Sequence, residues 1–217
     1  MGKWAVFDID GTLFPPSSME KSFILFMLKK GTIPLQNIGA YLFTGIMKSL
    51  FEGYEEGFKH NKYYLRYLPV IPVSKTAAIF VKRHVWPQIS TTGLKRISEY
   101  RSKNYKILLM SGSPDFLTFP LAKYIQPDFT IAAELDKRQN RFTGSLSNLH
   151  PYGERKSKLL LQFQLTHQIT FQHSVVYANH HADFHHMSMF HTAVAVNPSH
   201  KLKSLAEQHH WQIEKWI

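Results

Sequence analysis

The sequence predicts an α/β fold, a doubly wound parallel sheet with a helical segment inserted after its first strand. Three observations lead there. Short apolar runs, Lys3–Phe7 (KWAVF), Ile107–Met110 (ILLM), Val175–Tyr177 (VVY) and Ala193–Val196 (AVAV), have the length and continuity of strands buried on both faces. Helical periodicity fills most of the intervals between them, and strands alternating with helices imply a parallel sheet. The first three runs end in polar residues, and open α/β sheets bind ligands outside the carboxyl ends of their strands. With 217 residues the chain can bury one core, or one core carrying an insertion.

In chain order, Lys3–Phe7 runs into Asp8. Residues Phe14 to about Gln88 break the alternation. They are aromatic-rich, mostly helical in pattern and interrupted by Pro34, Pro69, Pro72 and Pro87, which marks an insertion. The domain division is therefore 1–14 with 89–217 as the core and 15–88 as the helical insert. Within the insert, Gly31–Met47 is uncharged and flanked by Lys29, Lys30 and Lys48. It holds Pro34, Gln36 and Asn37 and falls short of the roughly 20 apolar residues of a membrane span. It reads as a packed helix, with contact at a membrane surface as the alternative. Thr91–Lys103 carries Leu94, Ile97 and Tyr100 at helical spacing, and Asn104 is its stop. Phe116–Tyr124 follows Pro114–Asp115, a helix start. Thr130–Leu146 reads as a hairpin or an added strand pair. Glu154–Leu165 places Leu159, Leu160 and Phe163 on one helix face.

The cysteine count is zero, which excludes a disulfide framework, a thiolate zinc site and a cysteine nucleophile. Together with an N-terminus that lacks the pattern of a targeting leader, this predicts a cytoplasmic protein. Lys and Arg total 26 against 15 Asp and Glu, a formal charge of +11. Such a balance suits an anionic partner or a solvated basic surface. No nucleic-acid recognition motif accompanies it, so nucleic acid is not expected as a partner.

The chemistry concentrates in three short stretches. Asp8 and Asp10 leave a strand two residues apart and hence on one side. Such a pair can hold Mg²⁺ through oxygen ligands. One carboxylate can attack phosphorus while its neighbour exchanges a proton. Gly11 permits a tight turn, and the Thr12 hydroxyl can donate to a phosphate oxygen. Ser111 ends the ILLM run with Gly112 behind it and a helix start beyond, a setting that binds phosphate. Ser113, just before Pro114, can equally cap that helix. Gly153-Glu-Arg-Lys156 opens a later helix, where the Lys156 ammonium can offset charge developing on a phosphoryl group.

Through FDIDGTL (Phe7–Leu13), SGSPDF (Ser111–Phe116) and Gly153-x-x-Lys156, the chain resembles the haloacid dehalogenase superfamily, in its phosphoserine-phosphatase-like branch, over nearly its whole length. The resemblance implies a Rossmann-like core under a small helical cap, Mg²⁺ as cofactor, and hydrolysis of a small phosphorylated substrate through an aspartyl-phosphate. It makes Asp8 the nucleophile and a metal ligand. Asp10 becomes the general acid/base, with its main-chain carbonyl in the metal shell. Thr12, Ser111, Gly112 and Lys156 become phosphate-binding residues, Lys156 also taking a catalytic role.

The fourth motif of the family, G-D-S-x-x-D, reads Ala178-Asn179-His180-His181-Ala182-Asp183 in this chain. The implied metal set is thus Asp8, Asp10, Asn179 and Asp183, one negative charge poorer than the family's. Three outcomes follow: an enzyme with weaker Mg²⁺ binding, a changed metal or chemistry, or an inactive protein that binds a phosphorylated ligand or a protein partner. The histidines nearby, His180, His181, His185, His186 and His191, read as a His-rich surface. His181 and His185 have the i, i+4 spacing of zinc ligands. True phosphoserine phosphatases carry a glutamate soon after the first motif. Here Leu13–Met19 has no acid before Glu20, so phosphoserine is not expected as substrate. The aromatic and basic residues Phe23, Phe26, Tyr41, Phe43, Tyr63, Tyr64, Arg66 and Tyr67 either form the cap's own core or suit a larger, more apolar phosphomonoester, such as a lipid phosphate.

Overall fold

The apolar runs assemble into one parallel sheet because each strand can bury both of its faces. The computed structural model describes residues 2–15, 18–52 and 58–216, so residues 16, 17 and 53–57 of the expected insert lie outside the described residues. Strand β1 (Trp4–Phe7) turns Ala5 and Phe7 into one apolar cluster and Trp4 and Val6 into another. The alternation is the period of two of a pleated strand. It repeats in β2 (Lys106–Pro114), where Ile107 and Leu109 oppose Leu108 and Met110. It holds equally in β6 (Val175–Ala178) and β7 (Thr192–Val196).

Helices cover both faces. On the first side lie α1 (Met19–Lys29), α3 (Val70–Phe80), α4 (Thr91–Ser102) and α5 (Asp115–Ile125), through Phe23, Phe80, Ile97 and Leu117. On the second lie α6 (Glu154–His167), the short α7 (Phe184–Met187) and α8 (His200–Gln208), through Leu160, Met187 and Leu202. Helix α2 (Leu35–Glu52) lies between α1 and α3 in the chain. Among the described residues no helix is long and apolar enough to cross a membrane.

The sheet order is β3-β2-β1-β6-β7-β8, parallel throughout, with β3 at Phe129–Ala133 and β8 at Gln212–Glu214. From β1 the chain moves outward to β2 and β3, then returns to the other side with β6. The order therefore reverses between β1 and β6, and a crevice opens outside their carboxyl ends, where such folds bind ligands. Phe7 pairs with Tyr177 in register, so Asp8 and Ala178 leave the two strands side by side.

Two expectations are refined. Thr130–Leu146 is not one unit: its first part is β3, the edge strand of the main sheet, and only β4 (Leu135–Arg138) and β5 (Arg141–Leu146) form the antiparallel hairpin. Gln139 and Asn140 close it with φ of 47° and 58°, the left-handed pair of a tight hairpin turn. Strand β8 and helix α8 went unread, because their apolar positions are few. The strand is held at the sheet edge by Asn197 N–H donating to Glu214 O at 2.9 Å, and by Trp216 N–H donating to the Asn197 side chain at 2.9 Å. Trp216 then reaches back beneath the sheet, its ring 5.2 Å from that of Tyr177.

Gly93, inside α4, tests this packing. Replacing a helix glycine by alanine ordinarily stabilises by about 0.5–1 kcal/mol. A Cβ at Gly93, however, would lie 2.7 Å from Leu13 Cδ2 and 2.9 Å from the Trp216 ring, both buried. Overpacking should win, and Gly93→Ala should destabilise by about 1–2 kcal/mol in urea unfolding. A stabilised variant would contradict the contact.

Candidate active site

The loop after β1 turns sharply because Gly11 takes φ +83°, a conformation open to glycine, and Phe14 O accepts from the Gly11 N–H at 2.8 Å. The turn brings Asp8, Asp10 and Thr12 under the crevice. A second reason for glycine is spatial: a Cβ at position 11 would fall onto the Asn179 side chain. Asn179 follows β6 and is fixed by its carbonyl accepting from Ser199 N–H at 2.9 Å.

Lys156 enters from the first turn of α6 and is fully buried. Its Nζ donates to Asp8 Oδ1 at 2.8 Å and to Asp183 Oδ1 at 2.7 Å. Burial pulls its pKa down, but the charges of Asp183 and Asp8 outweigh burial and hold the ammonium above the ordinary lysine value. For Asp183, burial works upward, yet the charge and hydrogen bond of Lys156 bring the carboxyl below its ordinary value. Asp8 goes the other way. Burial, assisted by Asp183 and Asp10, overcomes the pull of Lys156 and pushes it up to about 7. The cluster is thus short of positive charge.

Asp10 is held on both oxygens. Met19 N–H donates to Oδ1 at 2.6 Å, while the hydroxyls of Ser111 and Ser113 both donate to Oδ2 at 2.8 Å. This corrects one expectation. Ser113 does not cap α5, whose first residue follows Pro114 with no side-chain cap. Ser111 is fully buried and engaged with Asp10, and its Oγ also accepts from Ser113 N–H at 3.0 Å, so Ser113 and Gly112 form the wall of the crevice. Thr12 is likewise buried, its hydroxyl donating to Asp8 Oδ2 at 3.0 Å and lying 3.5 Å from Asn179 Oδ1. It supports Asp8 instead of facing the cleft.

The crevice has a volume of about 300 Å³. Asp8, Asp10, Gly112, Lys156, Asn179 and Asp183 line its floor, and Glu20, Lys21, Ile24, Tyr41, Phe58 and Lys59 come from the helical segment opposite. Glu20 was read only as a late acid; the fold brings it into the cleft. Both its oxygens accept from buried Lys62, at 2.8 and 2.6 Å, and Tyr64 adds its hydroxyl at 2.9 Å. Of the aromatics weighed as substrate contacts, Phe23 and Tyr64 are core, Phe43 and Tyr67 face solvent, and Tyr41 lines the cleft.

His150 escaped sequence reading, since no spacing links it to the motifs. It is buried in the cleft wall with Nε2 3.0 Å from Gly112 O. Burial, then Lys62 and His60, push its pKa well down, so the ring is neutral. A carbonyl only accepts, so Nε2 carries the proton and fixes the Gly112–Ser113 peptide.

The oxygen donors here are the Asp8 and Asp183 carboxylates, the Asn179 amide and the Asp10 carbonyl, a set suited to a hard cation. The negative excess around Asp8 and the glycine-made space for Asn179 both fit one. The histidines are dispersed among different partners. The His180 ring lies 4.2 Å from that of His181, His185 is 3.4 Å from Glu154, and His186 is buried. Among the described residues no three His, Asp or Glu side chains are grouped to hold a metal.

A family model described as haloacid dehalogenase-like hydrolase matches residues 5–188. No curated protein matches the chain by sequence. In structure it is similar to a Bordetella pertussis Tohama I protein of unknown function, at TM-score 0.83 and 18% identity with all of both chains covered. It is similar to a hydrolase of the same family from Salmonella enterica serovar Typhi, at TM-score 0.69 and 18% identity, over 97% of this chain and 67% of that one. It also resembles a phosphoserine phosphatase carrying an analogue of its phospho-aspartyl intermediate, at TM-score 0.67 and 18% identity, over 100% and 94% of the chains.

His186 gives the site a pH signature. Burial pushes its pKa down to about 3, against the pull of Asp183 3.7 Å away. An unfolded histidine takes its proton near pH 6.5. Between these values the unfolded chain binds the extra proton, so stability falls as pH drops below 6.5, by about 1.4 kcal/mol per pH unit. His186→Asn should flatten that part of the stability curve in urea unfolding at pH 4–7. An unchanged slope would show that the imidazole titrates normally.

Proposed function

The chain belongs to the haloacid dehalogenase-like hydrolases, and on that premise we propose that it is a Mg²⁺-dependent phosphomonoesterase working through an aspartyl-phosphate. The observation that carries this reading is the convergence of Asp8, Asp10, Lys156 and Asp183 with the 111–113 turn at the reversal point of the sheet. The structural likeness to a phosphoserine phosphatase with a phospho-aspartyl analogue supports the intermediate.

In this reading an Asp8 oxygen attacks phosphorus in line, the phosphorus–ester oxygen bond breaks, and Asp10 gives that oxygen a proton. Water then attacks the phosphorus of the aspartyl-phosphate, passing its proton to Asp10 as the bond to Asp8 breaks. Ser111 and Ser113 hold Asp10 for both transfers. The Gly112 amide and Lys156 receive phosphoryl charge, and His150 holds the adjoining Gly112–Ser113 peptide. Asp8, the Asp10 carbonyl and Asn179 would hold Mg²⁺, with Asp183 in support. Mg²⁺ would neutralise carboxylate charge and polarise the phosphoryl oxygens. Residues 15–88 act as the cap and 1–14 with 89–217 as the core. The substrate is a small phosphorylated molecule other than phosphoserine, because Lys62 and Tyr64 already occupy the Glu20 carboxylate. Ile24, Tyr41 and Phe58 offer its organic part apolar contact.

Asn179 in the metal set favours a second reading, a phosphate-ligand binder without turnover. Phosphate release from p-nitrophenyl phosphate separates the two. The native chain should turn over with added Mg²⁺, and Asp8→Asn should lower kcat by about 10³-fold or more. No release with Mg²⁺, Mn²⁺ or Co²⁺, alongside thermal stabilisation by inorganic phosphate, would favour the binder.

Asn179→Asp restores the missing charge. It should lower the Mg²⁺ concentration for half-maximal activity by about tenfold or more. An unchanged Mg²⁺ requirement would remove Asn179 from the metal shell.

A further inference from the structure

Helix α2 is built inside out. Its inner side carries Asn37, whose amide donates to Tyr64 O and Arg66 O at 3.3 and 2.7 Å, together with Gly45 packed under the Phe58 ring and Tyr41 on the cleft. Its outer side carries the large aliphatic and aromatic residues. Leu35 is 87% exposed, Leu42 50%, Phe43 66%, Ile46 57% and Leu50 72%. At 100° per residue these five fall within one stripe about 100° wide. Single exposed apolar residues are ordinary, but a contiguous stripe marks a contact surface.

The approach to the stripe at the N-terminal end of α2 is basic. Between Glu20 and Glu52 the chain has no acidic residue; of its four lysines, Lys21 lines the cleft and Lys48 lies on the inner side of α2, which leaves Lys29 and Lys30 for the outer surface. Lys29 and Lys30 are exposed just before α2. We propose that this face of α2 docks on an anionic lipid bilayer surface, lying in the interface with its apolar stripe among the acyl chains and Lys29 and Lys30 at the headgroups. A helix with one apolar face and a basic N-terminal flank has this fit, and α2 is not apolar enough to span. A second copy of the chain fits worse. Pairing the stripes would bring like-charged lysines together on molecules that each carry +11.

The chain has no cysteine, so a single introduced thiol reports its own surroundings. Leu42→Cys, and as a control Leu165→Cys at the 85%-exposed end of α6, would carry an environment-sensitive fluorophore. Added vesicles of phosphatidylcholine with 30–40% phosphatidylglycerol (about that range) should raise and blue-shift the signal at position 42 only. Pure phosphatidylcholine vesicles should give little change. In flotation of the otherwise native chain, Lys29→Glu with Lys30→Glu should weaken binding about fivefold or more per lysine. Phe43→Ser with Leu50→Ser should abolish binding, with the melting temperature unchanged because both sites are exposed. No flotation with anionic vesicles would overturn the proposal, as would equal signals at positions 42 and 165. A native dimer in solution that Phe43→Ser with Leu50→Ser splits would overturn it in favour of a second copy.

Discussion

The ammonium of Lys156 between the carboxylates of Asp8 and Asp183 is the interaction on which the site depends. All three groups are buried, and a charge in a low-dielectric interior persists only when paired and hydrogen-bonded. That requirement ties together three distant pieces of chain: the end of β1, the first turn of α6 and the segment after β6. The parallel pairing of β1 with β6 supplies the closeness, since it brings Phe7 level with Tyr177. Removing the lysine would leave two buried carboxylates facing each other, so fold and chemistry share this contact. A single ammonium serves two carboxylates, at 2.8 and 2.7 Å, which leaves one negative charge that a cation at the site would offset.

The parts of the site legible in the sequence are those fixed by local geometry. Asp8 and Asp10 could be placed on one side of a strand end because the strand period is two, and Gly11 could be assigned to a turn. Lys156 could be placed at a helix start. What could not be read is where side chains go once the turn is made. Ser113 looked like a helix cap, and only the fold shows its hydroxyl reaching Asp10, 103 positions earlier in the chain. The pairing of Glu20 with Lys62 and Tyr64 links positions more than forty residues apart with no motif between them. His150 acts through a backbone carbonyl, which leaves no trace in residue spacing.

The fold followed the same division. Strands buried on both faces were readable because all their residues are apolar. Strand β8 was not, because Gln212, Ile213 and Glu214 are half-buried or exposed and held by backbone and Asn197 contacts. Helix α2 shows the limit of periodicity from another side. Its pattern announces a helix, but hydrophobicity alone would turn Leu42, Phe43 and Ile46 inward. The structure turns Asn37, Tyr41 and Gly45 inward instead, because Asn37 can satisfy two carbonyls of the 64–66 segment and Gly45 leaves room for the Phe58 ring. An apolar outer face is then the consequence of satisfying polar groups within.

Asn179 brings these strands of reasoning to one point. A carboxylate there would place a further negative charge close to Asp8, whose own charge burial already disfavours. Like charges in a buried cluster raise one another's pKa, so an aspartate would push Asp8 higher still unless a cation were bound. The amide keeps an oxygen donor at the same place, 3.5 Å from the Thr12 hydroxyl, without adding to that repulsion. In the proposed metal set it would make the cation-free site cheaper to fold and the cation-bound site weaker. Asparagine in place of aspartate would therefore move free energy from ligand binding to the resting fold, and Gly11, which leaves space for either side chain, permits the exchange without altering the backbone.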